Sequence, residues 1–405
     1  MASKRSGFFK NFSSLASIQL INYLAPIIVL PILAIRLGAD NIGILGLATA
    51  VSAYVLTVTD YGFSYSGTKE ISQLAGDAEC VEHIYSEIIV AKFLLFFVAV
   101  LFLAALSIWV PVFKNNILLI FLGVLYIPGG ILFAEFLFLG IERMEQLAKL
   151  NLIVKILSSV LVVFFVGGPE DVWVVPVVNA IAYWFSGLAG LYLAKRMGYR
   201  LLCSKAHVLS ALRRIRFGWN VFLSIFLPNL YNNLSTILLS MYAPLSVVGV
   251  FDIAKKIITV PEQLFTIYSR VFFPILSRNI SRHRQYFCVG LLAGLGCWMG
   301  FHYLSQPFID YFFGEEYQRA GILLRYFGIA PLLLFLSSAW GTGYLYIKGH
   351  EQALRNIVGV ASILAFFLAL FVIPVYKDVG VVVTILVARF LMSAGSMVFV
   401  KIKKV

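Results

Sequence analysis

The chain has 405 residues, of which 61% are hydrophobic and 13% charged, with a mean hydropathy of +0.92. A soluble globule of this length does not carry so apolar a composition, so the chain reads as a polytopic membrane protein, with connectors too short to hold a soluble catalytic domain. The formal net charge is +13, but most of it falls in connectors of one side, where the positive-inside rule and anionic lipid account for it, leaving a nucleic-acid partner unsupported.

Apolar runs of about 20 residues, enough to cross a hydrocarbon core about 30 Å thick, recur near 15–37, 42–63, 86–110, 116–138, 147–167, 172–194, 217–241, 245–267, 287–308, 321–345, 353–373 and 379–400. The expected fold is therefore an all-α polytopic membrane protein with about twelve transmembrane helices. The opening MASKRSGFFK is basic, but the run behind it is too long for a secretory signal, carries Pro26 and Pro31 and lacks a small-residue cleavage site. It reads as an uncleaved first span, and its prolines, with Asn22, suggest a bent helix beside a cavity.

Basic residues fall in alternate connectors: Lys4, Arg5 and Lys10; then Lys195, Arg196, Arg200, Lys205, Arg213, Arg214 and Arg216; then Arg278, Arg282 and Arg284; then Lys401, Lys403 and Lys404. The opposite connectors hold Lys114, Arg319 and Lys377 with the acids Asp40, Glu170, Asp171, Asp310, Glu315 and Glu316, so both termini are expected on the cytoplasmic side. Asp310, Glu315 and Glu316 read as solvated connector residues. Cys80, Cys203, Cys288 and Cys297 lack metal-ligand spacing. His83, His207, His283 and His350 fall in connectors and His302 at a helix end, where a solvated setting is expected.

Ionisable residues inside the spans cost several kcal/mol against lipid and mark functional sites by default. Those that stand out, in chain order, are Asp60, Lys92, Glu135, Lys149, Lys155, Asp252, Lys255, Lys256, Arg355 and Arg389. Counting about 1.5 Å per residue from Leu245 places Lys255 and Lys256 roughly halfway through the core. Asp252 precedes Lys256 by four residues and Lys255 by three, so one lysine neutralises it and one cation is left over. Lys255, Lys256, Arg389, Lys155, Lys149 and Arg355 are candidates for a cationic substrate path that suits an anionic passenger. Asn229, Asn232 and Asn233 share one face of the seventh span, either as interhelical glue or to hydrogen-bond a hydroxyl-rich ligand. Asp252, Glu135 and Asp60 are candidates for coupling to a proton or sodium gradient, Glu135 alternatively pairing with Lys92 or Lys155. No bound cofactor or metal is expected.

Shifting the chain by 206 positions lays LGADNIGILGLATAV over APLSVVGVFDIAKKI, matching Gly43 with Gly249 and Ala48 with Ala254. The same shift lays LGIERMEQLAK over LYIKGHEQALR, matching Glu145 with Glu351, Gln146 with Gln352 and Lys149 with Arg355. It encloses six spans, so the expectation is two parallel six-helix lobes, residues 1–205 and 206–405, around a central cleft that rocks between two openings. That architecture implies a transporter rather than an enzyme.

The stretch RLGADNIGILGLATAVSAYVLTVTDYGFSYSGTKEIS, with VVGVFDIAKKI followed by FFPILSR, resembles the polysaccharide exporters of the multidrug/oligosaccharidyl-lipid/polysaccharide (MOP, MATE-like) superfamily. Within it, the chain is most similar to the O-antigen flippases (Wzx type). The resemblance implies a twelve-helix, two-lobe fold in the bacterial inner membrane. It also implies an undecaprenyl-pyrophosphate-linked oligosaccharide as passenger from the cytoplasmic to the periplasmic leaflet, with Lys255, Lys256 and Arg389 in a cationic lumen. The polymerase and glycosyltransferases of the same pathway are the protein partners it suggests. Two rivals stay open: a small-molecule antiporter of the same superfamily, disfavoured by the positive charge for cationic drugs, and a membrane-embedded polysaccharide polymerase or ligase. The latter usually needs a large outer loop, and the longest outer connector, around Gln306 to Gln318, is short.

Overall fold

A computed structural model describes residues 2–74 and 76–403, with side chains described from Ile28 onward except at 144–148. The side chains of Lys4, Arg5, Lys10, Asn22, Pro26, Glu145, Gln146 and Lys404, on which parts of the sequence reading rest, lie outside the described residues. Among the described residues the chain is helical and contains no strand.

Eight helical stretches among the described residues are long and apolar enough to cross a membrane: Ile28–Gln73, Ala78–Trp109, Ile117–Gly140, Pro169–Arg196, Trp219–Tyr242, Ile280–Phe312, Glu315–Tyr346 and Glu351–Lys403. Two of them exceed one crossing, since 53 helical residues would run about 80 Å against a core of about 30 Å. A residue at positive φ breaks each: Gly38 at 77° in Ala2–Asp60 and Lys377 at 52° in Glu351–Lys403. Beyond Lys377 the chain turns back, because Gly380 packs against the carbonyl of Val372 and the Cα of Ile373, a contact impossible along a continuous helix. Two further helices, Met144–Phe165 and Leu245–Arg278, have the length to cross and carry several of the intramembrane charges, Lys155, Asp252, Lys255 and Lys256 among them. With the two broken helices counted as pairs, the described residues make twelve crossings, close to the positions that hydropathy marks.

The chain divides into two compact units, Met1–Ala25 with Leu47–Phe226, and Pro26–Gly46 with Leu227–Val405. In the first, the Ile127–Phe133 and Val174–Arg196 helices pack backbone to backbone: a Cβ on Gly129 would strike the Tyr183 carbonyl, and one on Gly187 the Gly129 carbonyl. Small residues permit this approach where no hydrophobic drive separates protein from lipid. The basic connector contains a helix of its own, Lys205–Phe217, which hydropathy passes over. Arg214 fastens it, donating to Glu70 at 2.6 Å and Glu87 at 2.5 Å. Burial alone would lower this guanidinium's pKa, and the two carboxylates outweigh it, so the group is raised.

Two histidines depart from the solvated setting expected for them. His207 is buried because its ring lies 3.1 Å from the His83 ring nitrogen and 2.7 Å from the Ser204 hydroxyl. His283 is buried in the second unit, its Nε2 3.0 Å from the Ala339 carbonyl. Each ring has polar partners that replace water.

The second unit is built on the Leu245–Arg278 helix. A Cβ on Gly43 would run into the Leu245 carbonyl, and one on Gly249 into the Ala39 carbonyl, so the two glycines that coincide under the 206-residue shift lie against each other. Glu316 is not simply a solvated connector acid: its carboxylate accepts the Ala39 N–H at 2.8 Å, while the Tyr317 hydroxyl donates to the Ala34 carbonyl at 3.1 Å. Arg319 binds the fully buried Asp378 through two hydrogen bonds of 2.5 and 2.7 Å. An aromatic core of Phe265, Tyr286 and Phe335, with Leu276 and Ala339, closes the other end of that helix.

Candidate functional site

Most of the predicted polar residues gather in two clusters, one inside each unit. In the first unit, Tyr61 and Gly62 at positive φ end the helix at Asp60 and turn its carboxylate into a chamber of about 600 Å³. Ser64 donates to Asp60 at 2.5 Å and Lys92 at 2.7 Å. Lys92 is buried and its ammonium also lies 5.2 Å from the centre of the Phe136 ring, a second favourable contact for the cation. Ala134, at φ 48°, breaks the fourth crossing so that Glu135 opens the next helical turn and lines the same chamber with Lys155. The side chain of neither makes a hydrogen bond or ion pair among the described residues, and Lys92 goes to Asp60, not to Glu135. Asn151, Ser158, Ser186, Tyr126 and Tyr183 complete the polar part of the lining.

In the second unit, Asn233 interrupts the helical run between Trp219–Asn232 and Leu234–Tyr242. A break frees backbone carbonyls, and Lys255 occupies it: its ammonium donates to the Asn232 carbonyl at 3.0 Å, and to the Asn233 side chain and Thr236 hydroxyl at 3.3 Å each. Asn233 in turn donates to Asn229 at 2.7 Å. Lys256 takes the neighbouring acid, 2.6 Å from Asp252. Lys255 is thus solvated by neutral oxygens and has no carboxylate in an ion pair.

Arg389, a candidate for the cationic path, is paired. It binds Glu262 through both guanidinium nitrogens, one of them at 3.0 Å, and both side chains are largely buried, at 6% and 12% exposure. Glu262 escapes the sequence reading although it follows Lys255 by seven residues, two helical turns along the same face. Lys149 and Arg355 are exposed and the structure brings neither into these clusters. Ser186, Tyr126, Tyr183 and Thr236 carry no sequence signal that separates them from ordinary helix residues.

Comparison with known proteins agrees with this architecture. Residues 8–280 match the family model described as polysaccharide biosynthesis protein. Two curated relatives, from Escherichia coli (strain K12) and Shigella dysenteriae, are each named "Putative O-antigen transporter". The first is 24% identical over 98% of this chain and 97% of its own length, the second 26% identical over 94% and 97%. Among solved structures, the lipid II flippase MurJ in an inward closed conformation superposes with a TM-score of 0.71 at 13% identity, covering 95% of this chain and 87% of that one. An inward-facing MATE family multidrug transporter of the MOP superfamily gives 0.65 at 15% identity, covering 95% and 94%. These neighbours show the fold to be of MOP type. Relatives and neighbours alike are named as transporters or flippases, in keeping with the transporter class read from the sequence and not with an enzyme. The chain belongs to the polysaccharide biosynthesis protein family.

Proposed function

We propose that this protein is a flippase that carries an undecaprenyl-pyrophosphate-linked oligosaccharide, an O-antigen unit, from the cytoplasmic to the periplasmic leaflet of the bacterial inner membrane, with both termini cytoplasmic. The observation that carries the reading is Lys255, an ammonium deep in a membrane-spanning helix and held by neutral oxygens alone. Such a group is costly in lipid unless a watery path or an anionic ligand reaches it. A diphosphate sheds water to cross the bilayer and needs cations in return, whereas the polyprenyl chain is content in lipid. The family and the transporter names of the relatives point the same way.

Alternating access is the mechanism proposed. The Asp252–Lys256 pair would couple it to a proton or sodium gradient, because an arriving phosphate and the carboxylate compete for one lysine. The reading is tested by deleting the gene in its host and extracting the lipid-linked oligosaccharides. Build-up on the cytoplasmic leaflet, relieved by this chain and not by its Lys255→Ala variant, is expected. Complete units on the periplasmic leaflet that stay unpolymerised would favour a polymerase instead.

A further inference from the structure

We infer that the chamber of the first unit is a binding site for the neutral, hydroxyl-rich glycan part of the substrate, separate from the group that receives its phosphates. The inference rests on the flippase reading and assigns one part of the passenger to one place. At about 600 Å³ the chamber falls within the size of small-molecule sites, about 300–1,000 Å³.

Its chemistry discriminates among the passenger's parts. Asp60 and Glu135 put two carboxylates on the wall and Lys92 and Lys155 two ammonium groups, so the chamber is formally neutral. With its charges cancelling, the chamber offers a diphosphate no net attraction, and four charged side chains reject a polyprenyl chain. A coupling cation fares no better, since Lys92 already occupies Asp60 at 2.7 Å and Lys155 lines the same space. A sugar suits every group present. Ser186 lines the chamber at 3% exposure, and its buried hydroxyl has no hydrogen-bond partner among the described residues, so it lacks what a ligand hydroxyl would supply after a small side-chain rotation. Glu135 offers acceptors and Lys155 donors with no internal partner to displace. The rings of Tyr126 and Tyr183, 4.9 Å apart and tilted by 49°, give a wall against which the C–H face of a sugar ring can pack.

The test uses the full-length protein in nanodiscs and titrates three probes by calorimetry: the glycan released by mild acid from the host's lipid-linked oligosaccharides, inorganic pyrophosphate and sodium chloride. Saturable glycan binding is expected, weakened about tenfold by Glu135→Gln and lost in Ser158→Phe, which fills the chamber. Pyrophosphate and sodium should not compete for it. If a variant fails to fold, competition on the unaltered protein still decides, read from the fluorescence of Trp184, the neighbour of Tyr183, whose indole donates to the Leu125 carbonyl at 3.0 Å. Displacement of the glycan by pyrophosphate or sodium, unchanged affinity in both folded variants, or no glycan binding at all would overturn the assignment. The flippase reading is judged separately by the leaflet assay in cells, so glycan binding that ignores these variants alongside intact rescue of export would remove the chamber and leave the transport function standing.

Discussion

At the scale of single residues, the charges inside this protein divide into those held by an opposite charge and those held by neutral oxygens. Arg389 and Glu262 are the clearest of the first kind, and removing one partner of such a buried pair costs about 3–5 kcal/mol because the other charge is stranded. Glu262→Gln should therefore lower the thermal unfolding temperature of the purified protein sharply, while the double change Glu262→Gln with Arg389→Met should recover much of the loss. A double variant no better than the single would deny that stranded charge is the cause. The neighbouring lysines should part company in the same way. Lys256→Ala abandons Asp252, whose side chain is 7% exposed, and should reduce the amount of protein in the membrane. Lys255→Ala abandons only carbonyl, amide and hydroxyl oxygens and should spare the amount while abolishing export, measured as surface polysaccharide against an immunoblot. The Asp252–Lys256 pair was legible because four residues separate its members on one helix. Arg389 and Glu262 lie 127 positions apart, and Lys92 and Asp60 lie 32 apart, so which acid met which base depended on packing that one sequence does not display.

At the scale of elements, hydropathy located the crossings well because a lipid core imposes one length on all of them. It was blind to what interrupts them. Ala134, at φ 48°, and Asn233 break helices with no glycine to announce it. The Lys205–Phe217 helix hides among residues that also satisfy the positive-inside pattern. Helix packing yields a sharp expectation at Gly43 and Gly249, where a side chain would enter the backbone of Leu245 or Ala39. Gly43→Val or Gly249→Val should destabilise by about 1–3 kcal/mol or more, as overpacking does, visible as a lower unfolding temperature. Gly296, in the His283–Phe312 helix, has nothing within 4 Å of the place a Cβ would take. Gly296→Ala should leave the protein unchanged or raise its stability by up to about 1 kcal/mol, the helix propensity difference. Equal losses at all three glycines would mean that something other than close approach governs them.

At the scale of the whole molecule, composition alone was enough for the class and twelve crossings for the architecture, while the clusters that could do chemistry emerged only once the helices were assembled. The second unit is also discontinuous in sequence. It includes Pro26–Gly46, which is fastened by Glu316 and Tyr317 from 277 and 283 positions away. A chain truncated after Phe226 keeps that segment without its partners, and it should be degraded in cells unless 227–405 is supplied from a second gene, an outcome an immunoblot of membranes decides. The same feature sets a timetable for biogenesis. At about 5–20 residues per second, on the order of ten to fifty seconds separate synthesis of the Ala39 amide from that of the carboxylate that receives it. The Leu245 carbonyl and Gly249 backbone that face Gly43 are made earlier within that interval, so Pro26–Gly46 gains its native contacts in two instalments, and the last of them waits until translation has run most of its course.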